Sequence, residues 1–256
     1  MKLHYRQFSS EGAPVVILHG VYGNHANWMG HARALADEFA VYAFDARNHG
    51  QSPWADSLRV QDMADDVADT ITALGLEQVY LIGHSMGGKT AMWLAQQCPE
   101  LVSKLVGVDI APVDYHKPVD DVVEHLAEMP LSELEDRQQA DEWLAPRITE
   151  KFVRDFLLTN LVRDEDGRLS WRINVPVIRR DFGEVTGWPA STGRYEGPTL
   201  FIRGGKSNYL LPEHEATTLQ QFPNARIETV ENAGHWVHSE KPDEVQRLLR
   251  EFLLES

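Results

Sequence analysis

The sequence predicts an α/β fold: a mostly parallel sheet with helices on both faces and an inserted helical cap. Three observations predict it. Short apolar runs alternate with helical patterns over residues 1–112 and again over residues 195–256. Between them, about residues 113–194, the helical patterns are weak and acidic side chains are frequent. A serine between glycines also stands where an apolar run meets a helical pattern. We therefore expect a single domain, residues 1–256, with the cap inserted into its core.

Two apolar runs near the start of the chain predict the first buried strands. They are "PVVILHG" (14–20) and "FAVYAFD" (39–45), which are rich in β-branched and aromatic residues. Runs of this length and composition are typical of strands that are buried on both faces of a parallel sheet. Residues 26–38 between them carry a short helical pattern.

A helix is predicted over residues 60–74. Its apolar side chains recur at steps of three and four residues, which places them on one helix face; they are Val60, Met63, Val67, Ile71 and Leu74. The next two strands are predicted at "QVYLIG" (78–83) and "KLVGVDIA" (104–111), with a helix over 86–98 between them. This alternation of strand and helix favours a parallel sheet.

The alternation stops in the acid-rich stretch and then resumes. Prolines punctuate the stretch at Pro118, Pro130 and Pro146, and the run "WRINVPVI" (171–178) is ambiguous between strand and helix. Beyond the cap we expect a strand, a helix, a strand and a closing helix, placed respectively at 198–204, from about Glu213, at 225–231 and at about 242–254.

The composition is that of a globular protein with an acidic surface. The 256 residues are 43% hydrophobic and 25% charged, and the formal net charge is −15. This charge repels phosphate backbones and anionic bilayers, so neither nucleic acid nor a membrane is an expected partner. The single cysteine, Cys98, excludes an internal disulfide framework and fits a reducing compartment. Since the chain shows neither the apolar region of a signal peptide nor a membrane-length apolar run, we expect a cytoplasmic protein.

Ser85 lies in the motif Gly83-His84-Ser85-Met86-Gly87, a G-x-S-x-G pattern between a predicted strand and a predicted helix. A nucleophile elbow has this arrangement. Its strained turn projects the serine Oγ beyond the sheet edge, and larger residues at the two glycine positions would collide with the neighbouring strand and helix. Ser85 is therefore the candidate nucleophile. The alternative is a glycine-rich turn that packs or binds a phosphate, although the G-x-G-x-x-G spacing of a dinucleotide site is absent.

Two backbone N–H groups are candidates for an oxyanion hole. Met86 begins the helix after the serine, where unpaired N–H groups and the helix dipole favour negative charge. The second donor is expected in "LHGVYGN" (18–24), where the N–H of Val21 follows the first buried strand. Tyr22 beside it is expected to line the substrate pocket. His19 precedes the serine in the chain, so a structural role is favoured over that of a base.

The general base is expected after the serine in the chain. Five histidines satisfy this order: His116, His125, His214, His235 and His238. Only His235 stands in a loop directly after a predicted strand, and Trp236 beside it is expected to line the pocket. His235 and His238 also have a spacing that occurs in metal sites. Because no cysteine or carboxylate pair completes a ligand set, no metal is expected.

Several motifs occur in the order that is typical of one superfamily: "HGVYGN", "DARNHGQS", "GHSMGG" and "NAGHWVHSEKPDEV". On these the chain resembles the α/β-hydrolase superfamily over its whole length. It resembles the YbfF-type small esterases more narrowly, through "RNHGQSP", "GHSMGGK", "VDIAPVDYH" and "RINVPVI". The resemblance implies a serine hydrolase that cleaves acyl esters or thioesters without a cofactor.

The acid of a catalytic triad is absent from the place where many α/β-hydrolases have it. The segment "FIRGGKSNYLLP" (201–212) contains no aspartate or glutamate. Ser207 or Asn208 stands there instead, and either could orient His235 by a hydrogen bond. Neither would stabilise an imidazolium as an anion does.

Asp109 is the favoured acid because it ends the strand next to that of the serine, at the same carboxyl edge of the sheet. A carboxylate at the end of a buried apolar strand needs a partner, and an imidazole N–H would be one. The resemblance to the YbfF-type esterases implies the same aspartate. Asp114, five residues further on, is the alternative. Asp45 precedes the serine and is expected to brace its loop together with Arg47.

The cap is expected to cover the pocket and to set acyl length. Aromatic and apolar side chains are the candidates, some of them for the cap's own core: Tyr115, Val119, Trp143, Phe152, Phe156, Leu157 and Trp188. Tyr115 joins Tyr22 and Trp236 as a predicted pocket residue. The predicted function is acyl ester or thioester hydrolysis through an acyl-enzyme. Carbon–carbon bond hydrolysis, lactone opening, acyl transfer and a non-catalytic ligand receptor are the alternatives.

Overall fold

Nine strands form the β-structure of the protein, which a computed structural model describes over residues 1–115, 121–190 and 193–255. In chain order they are β1 (Tyr5–Gln7), β2 (Ala13–Leu18), β3 (Phe39–Phe44), β4 (Val79–His84), β5 (Val102–Val108), β6 (Leu161–Arg163), β7 (Leu169–Trp171), β8 (Thr199–Gly204) and β9 (Ala225–Val230). Seven of them form one sheet in the order β1-β3-β2-β4-β5-β8-β9, and β6 pairs with β7.

Eleven α-helices are described in the same residues. They are α1 (Met29–Leu35), α2 (Val60–Ala73), α3 (Met86–Gln97), α4 (Asp121–Glu128), α5 (Arg137–Leu144), α6 (Lys151–Leu157), α7 (Val175–Arg180), α8 (Phe182–Thr186), α9 (Pro212–Gln221), α10 (Val237–Glu240) and α11 (Pro242–Leu254). Short 3-10 turns occur at His25–Trp28, Pro99–Leu101, Leu131–Glu133 and Leu158–Asn160. No helix among them combines the length and the apolar composition that crossing a bilayer requires.

The large sheet is parallel from β2 to β9, which confirms the predicted fold class. Its one antiparallel strand is β1, which pairs with β3 at the edge, Tyr5 opposite Phe44. The sequence analysis did not predict β1. The strand has three residues, two of them polar and exposed, so it lacks the apolar run that reveals a buried strand.

The described elements between β5 and β8 are the helices α4 to α8, two 3-10 turns and the β6–β7 hairpin. The prediction for this inserted segment, residues 113–194, was helical and did not include the hairpin. Each hairpin strand has only three residues and is partly exposed. The ambiguous run "WRINVPVI" becomes helical from Val175, with Pro176 in the first turn, where proline is tolerated.

Apolar side chains bury both faces of the sheet. The helices α2 and α3 cover one face, where Val67, Ile71 and Met92 are buried against the strands. The helices α1 and α11 cover the other face through residues such as Leu35 and Leu249. Because β4 lies between β2 and β5, the loops after these three parallel strands meet at one edge of the sheet.

Candidate active site

Ser85 stands at a sharp turn between β4 and α3. Its backbone has φ 52° and ψ −118°, a conformation that non-glycine residues rarely adopt. A Cβ at Gly83 would lie 2.2 Å from the carbonyl oxygen of Gly87, and a Cβ at Gly87 would lie 2.5 Å from the carbonyl oxygens of Leu18 and His19. The turn therefore requires glycine at both positions, against the helix on one side and the end of β2 on the other.

Three side chains from different loops meet at this turn. His235, in the loop after β9, has its Nε2 3.1 Å from the Oγ of Ser85. Its Nδ1 lies 2.7 Å from the Oδ2 of Asp109, which follows β5. The carboxylate only accepts hydrogen bonds, so Nδ1 carries the hydrogen and Nε2 accepts from the serine hydroxyl. The structure thus brings together the three residues that the sequence predicted as nucleophile, base and acid.

Asp109 is completely buried and has partners besides His235. Its Oδ1 accepts a hydrogen bond from the backbone N–H of Gly204 at 2.8 Å, and its Oδ2 accepts one from the hydroxyl of Ser207. Ser207, which the sequence offered as a partner of His235, contacts the carboxylate instead. The alternative acid, Asp114, is exposed. These hydrogen bonds supply the compensation that a buried carboxylate needs.

Tyr209 is a site residue that the sequence analysis missed. Its ring stacks on the imidazole of His235, with the centroids 3.8 Å apart and the planes 18° from parallel. The residue belongs to the segment that follows β8, near the position of the absent acid. An aromatic residue in this loop was the available signal. Only the folded arrangement shows that it covers the imidazole.

His84 supports the loop of His235 from inside the protein. Its Nε2–H donates to the backbone carbonyl of His235 at 2.9 Å. Burial, together with the neighbouring His238 and His235, holds the pKa of His84 well below its usual value. Burial and the nearby His31 likewise lower the pKa of His238 to about 3. His238 stacks on Trp28 at 4.4 Å. The imidazoles behind His235 are therefore neutral.

The two predicted oxyanion donors belong to loops that adjoin Ser85. Val21 lines the same cleft as Ser85, and Met86 directly follows Ser85 as the first residue of α3. Within the described ranges, neither backbone N–H donates to a protein acceptor. His19 braces the first of these loops: its Nδ1–H donates to the carbonyl of Gly20 at 2.7 Å, and its Nε2 accepts from Ala46 at 3.0 Å. This is the structural role expected of His19.

A second histidine holds the same loop. The Nε2 of His49 accepts a hydrogen bond from the backbone N–H of Tyr22 at 3.2 Å, and its Nδ1–H donates to the carbonyl of Arg47 at 2.9 Å. An acceptor nitrogen requires the neutral form, which agrees with the effect of burial and the nearby His19: they lower the pKa of His49 to about 3.

A cleft opens above Ser85, with about 870 Å³ of empty space when its solvent-filled mouth is included. The predicted pocket residues Tyr22, Tyr115 and Trp236 all line it. The inserted segment contributes an apolar wall: Val122, Val153, Phe156, Leu157, Phe182 and Val185. Trp236 also meets the rings of Phe152 and Phe156 edge to face.

Three other residues expected over the pocket have different surroundings. Trp143 packs against the apolar core of the inserted segment, and Trp188 meets Trp93 edge to face at 6.0 Å. Phe152 is 46% exposed, and its ring meets that of Trp236 with the centroids 5.1 Å apart. Val119 lies outside the described residues. The helical periodicity of the segment was too weak to separate its core positions from those that face the cleft.

Asp45 braces its loop as expected, through partners other than the side chain of Arg47. Its carboxylate accepts hydrogen bonds from the Nδ1–H groups of His4 and His25 and from the backbone of Gln51. Burial raises the pKa of Asp45, and hydrogen bonds and charges from the neighbouring histidines outweigh that effect and lower it. Arg47 pairs with Asp66 at 2.6 Å instead.

The other candidate histidines stand apart from Ser85. His125 lies in α4, and His214 lies in α9, where its ring faces Tyr115. His116 is outside the described residues. In the part of the chain that the structure describes, His4, His25 and Asp45 form the group with metal-ligand spacing, and their ligand atoms lie within 4.8 Å of one another.

The chain is similar to known proteins over most of its length. A family model described as the alpha/beta hydrolase fold matches residues 13–242. Esterase YbfF of Escherichia coli (strain K12) is 38% identical over 258 aligned residues, which cover 99% of each chain. The sn-1-specific diacylglycerol lipase ABHD11 of Mus musculus is 40% identical over 248 residues, 93% of this chain and 80% of that protein. The solved structure of a marine microorganism esterase has a TM-score of 0.95 at 36% identity, and the match covers 98% of this chain and 99% of the other.

Proposed function

The chain belongs to the α/β-hydrolase family and is a carboxylic ester hydrolase, and from this premise we propose that Ser85, His235 and Asp109 form its catalytic triad. One observation carries the proposal. The hydrogen bonds from Ser85 to His235 and from His235 to Asp109 form a continuous chain at the base of an apolar cleft. A nucleophile, a base and an orienting carboxylate in this order perform acyl transfer on several unrelated folds.

In the proposed reaction His235 removes the hydroxyl proton of Ser85 through Nε2 while the Oγ attacks the acyl carbonyl carbon. The carbonyl oxygen becomes an oxyanion, which the N–H groups of Val21 and Met86 stabilise. The imidazolium then gives its proton to the leaving alcohol or thiol, and an acyl-enzyme forms on Ser85. Water activated by His235 releases the acid in the second half of the cycle. Asp109 keeps Nδ1 protonated and stabilises the imidazolium.

The lining of the cleft supports a small acyl ester or thioester as the substrate. Its apolar wall, with Phe156, Phe182 and Val185, suits an acyl chain, while its polar groups lie around Ser85. The names of the relatives, an esterase and a diacylglycerol lipase, favour oxygen esters among these substrates. The inserted segment serves as a cap that sets acyl length.

Replacing the nucleophile tests the proposal. We expect Ser85→Ala to keep the fold and to lose about 10⁴-fold or more in kcat on p-nitrophenyl esters of graded chain length, measured beside acyl thioesters. The wild type should also take one fluorophosphonate label per chain, on Ser85. Ser239→Ala is the matched control, because Ser239 is an exposed serine outside the hydrogen-bonded chain.

Two results would contradict the proposal. One is a Ser85→Ala protein with wild-type turnover and a native melting temperature. The other is a wild type that binds esters without turning them over, which would indicate a ligand receptor. His235→Ala combined with Ser85→Ala should be little worse than either single variant, since the two residues act as a unit.

A further inference from the structure

Lys89 is completely buried in the wall of the cleft. It lies in α3, one helical turn after Ser85, and its ammonium group donates hydrogen bonds to three backbone carbonyls. The acceptors are Val113 at 3.0 Å, Thr186 at 2.5 Å, and Gly187. The ammonium also lies over the ring of Tyr115, 4.6 Å from its centroid. A buried ammonium needs an acceptor for each of its three hydrogens, and here each has one.

The three carbonyls that Lys89 binds lie at the two ends of the inserted segment. Val113 is where the chain leaves the core and enters the inserted segment. Thr186 and Gly187 stand where α8 ends, on the way back to β8. Lys89 therefore binds both connections of the inserted segment to the helix that begins beside Ser85. Phe182, one turn before Thr186, and Val185, directly before it, belong to the apolar wall of the cleft.

A second contact leads from Lys89 towards His235. Tyr115, under the ammonium, accepts a hydrogen bond from the backbone N–H of Ala111 at 2.8 Å and donates one to the carbonyl of Tyr209. The ring of Tyr209 is the one that stacks on His235. Lys89 thus contacts the cap connections, and through Tyr115 it contacts the residue that covers the base.

We infer that Lys89 is a positioning residue that determines acyl-chain selectivity, because it fixes the inserted segment at one height over Ser85. The inference rests on the proposed function, in which the cleft holds the acyl chain. Lys89 takes no part in the chemical steps. It holds α8, and with it the apolar wall, at the distance that the acyl chain fills. Without the three hydrogen bonds the wall is free to move away from the chain, and long acyl groups lose more contacts than short ones.

The chain supplies a matched control for this residue. Lys104, in β5, is also buried, and its ammonium also donates to three backbone carbonyls, those of Phe252, Leu253 and Glu255. It lies near the aromatic rings of Tyr80 and Phe252 as well. These partners belong to the closing helix and the core, and Lys104 is not part of the cleft wall. Removing its ammonium therefore disrupts the same kind of contact at a place that does not touch the cap.

The experiment compares Lys89→Met with Lys104→Met, since methionine keeps an unbranched chain and removes the donors. Both variants should melt at lower temperature than the wild type. The readout is the ratio of kcat/KM for p-nitrophenyl octanoate to that for the acetate. We expect this ratio to fall about tenfold or more in Lys89→Met, mainly through KM of the octanoate, and to keep its wild-type value in Lys104→Met. A tenfold change corresponds to the burial of about two methylene groups. Amide hydrogen exchange of residues 182–188 should accelerate in the first variant alone.

Equal ratios in both variants, with the same loss of melting temperature, would overturn the inference and leave Lys89 a structural residue only. If Lys89→Met does not fold, Lys89→Gln keeps two donors and should give an intermediate ratio; a wild-type ratio there would overturn the inference as well. A failure of the proposed function looks different, because Ser85→Ala would then retain activity or the wild type would have none.

Discussion

Ser85 and Asp109 share a backbone feature: each follows directly after a parallel strand and has a positive φ, 52° and 51°. A residue in this region costs about 1–3 kcal/mol relative to an ordinary conformation. The turn takes the chain out of the strand at once, so that the side chain stays at the sheet edge. Both backbones are held there by hydrogen bonds, from Ser85 N–H to Val108 and from Asp109 N–H to Ile202. The neighbouring strands thus maintain the strain that places these two side chains next to His235.

Replacing the acid gives the sharpest prediction at the residue scale. In Asp109→Asn the amide oxygen can still accept from Gly204, but the amide N–H₂ faces Nδ1 of His235 and favours the wrong tautomer. We expect kcat to fall by about 10²- to 10⁴-fold while the structure is retained. The measurement is kcat on one good ester, with circular dichroism as the check on folding.

Asp114→Asn and Asn208→Ala are the controls for this prediction. Asp114 is exposed, and Asn208 belongs to the loop after β8, so each variant should stay within about tenfold of the wild type. If Asp114→Asn loses most of its kcat and Asp109→Asn keeps nearly the wild-type kcat, the assignment of Asp109 as the acid is wrong.

At the scale of elements, the crossing from β4 to α3 shows why the motif around Ser85 has glycines. The first turn of α3 passes so close to the end of β2 that a Cβ at Gly87 would enter the carbonyl groups of Leu18 and His19. These atoms are backbone within a sheet and cannot move aside cheaply. The close approach packs the start of α3 against the residues that lead into the loop of Val21.

Gly87→Ala tests this close approach. We expect the free energy of unfolding to fall by at least about 2 kcal/mol, because the added methyl group overpacks a rigid contact. Activity should fall further than stability alone explains, since the elbow must shift. Urea denaturation and kcat, measured on the same samples, check the prediction.

Gly30→Ala is the matched control for Gly87→Ala. Gly30 lies in α1, and a Cβ there meets no atom within 4 Å. The change should raise stability by up to about 1 kcal/mol, because alanine loses less backbone entropy in a helix. If both substitutions leave stability and kcat unchanged, α3 packs less tightly against the end of β2 than these distances indicate.

At the scale of the whole molecule, the site is built on neutral buried histidines. Burial lowers the pKa of His19 and His84, and it lowers the pKa of both His49 and His238 to about 3. All four pack around the loops that hold Ser85, Val21 and His235. In the unfolded chain the same histidines titrate near pH 6.5.

Stability should therefore fall in mildly acidic solution. The stabilising effect of each neutral histidine is complete above pH 6.5. As the pH drops towards 3, the unfolded state binds protons that the folded state does not, so stability is lost by up to about 1.4 kcal/mol per pH unit for each group. The urea midpoint should therefore decline as the pH is lowered from 7 to 4.5. This pH range lies above the pKa values of most carboxylates.

One variant tests the source of this decline. His238→Asn removes one of the four groups, so the slope of stability against pH should become shallower even though the variant is less stable overall. An unchanged slope in His238→Asn would show that the decline has another origin.

The sequence by itself determined the elements whose buried positions form a regular apolar pattern along the chain. The steps of three and four residues from Val60 predict the helix α2, and apolar runs predict the parallel strands β2, β3, β4, β5 and β8, because burial on a helix face or inside a sheet repeats within a few residues. The edge strand β1 and the β6–β7 hairpin were not predicted, since short, partly exposed strands carry no such repeat. Ser85 and His235 were predictable from local features as well. Ser85 lies between the two glycines of its motif, and His235 lies in a loop directly after a predicted strand.

Only the tertiary structure decided which distant residues meet. Asp109 was favoured through the expected order of strands, but its contact with His235 spans 126 positions, and that of Ser207 with Asp109 spans 98. The stacking of Tyr209, the support from His84 and the hydrogen bonds of Lys89 to the cap connections have no pattern in the sequence. These contacts could not be predicted because a local pattern reflects only how each element is buried. A contact between elements depends on how the sheet and the inserted segment pack together.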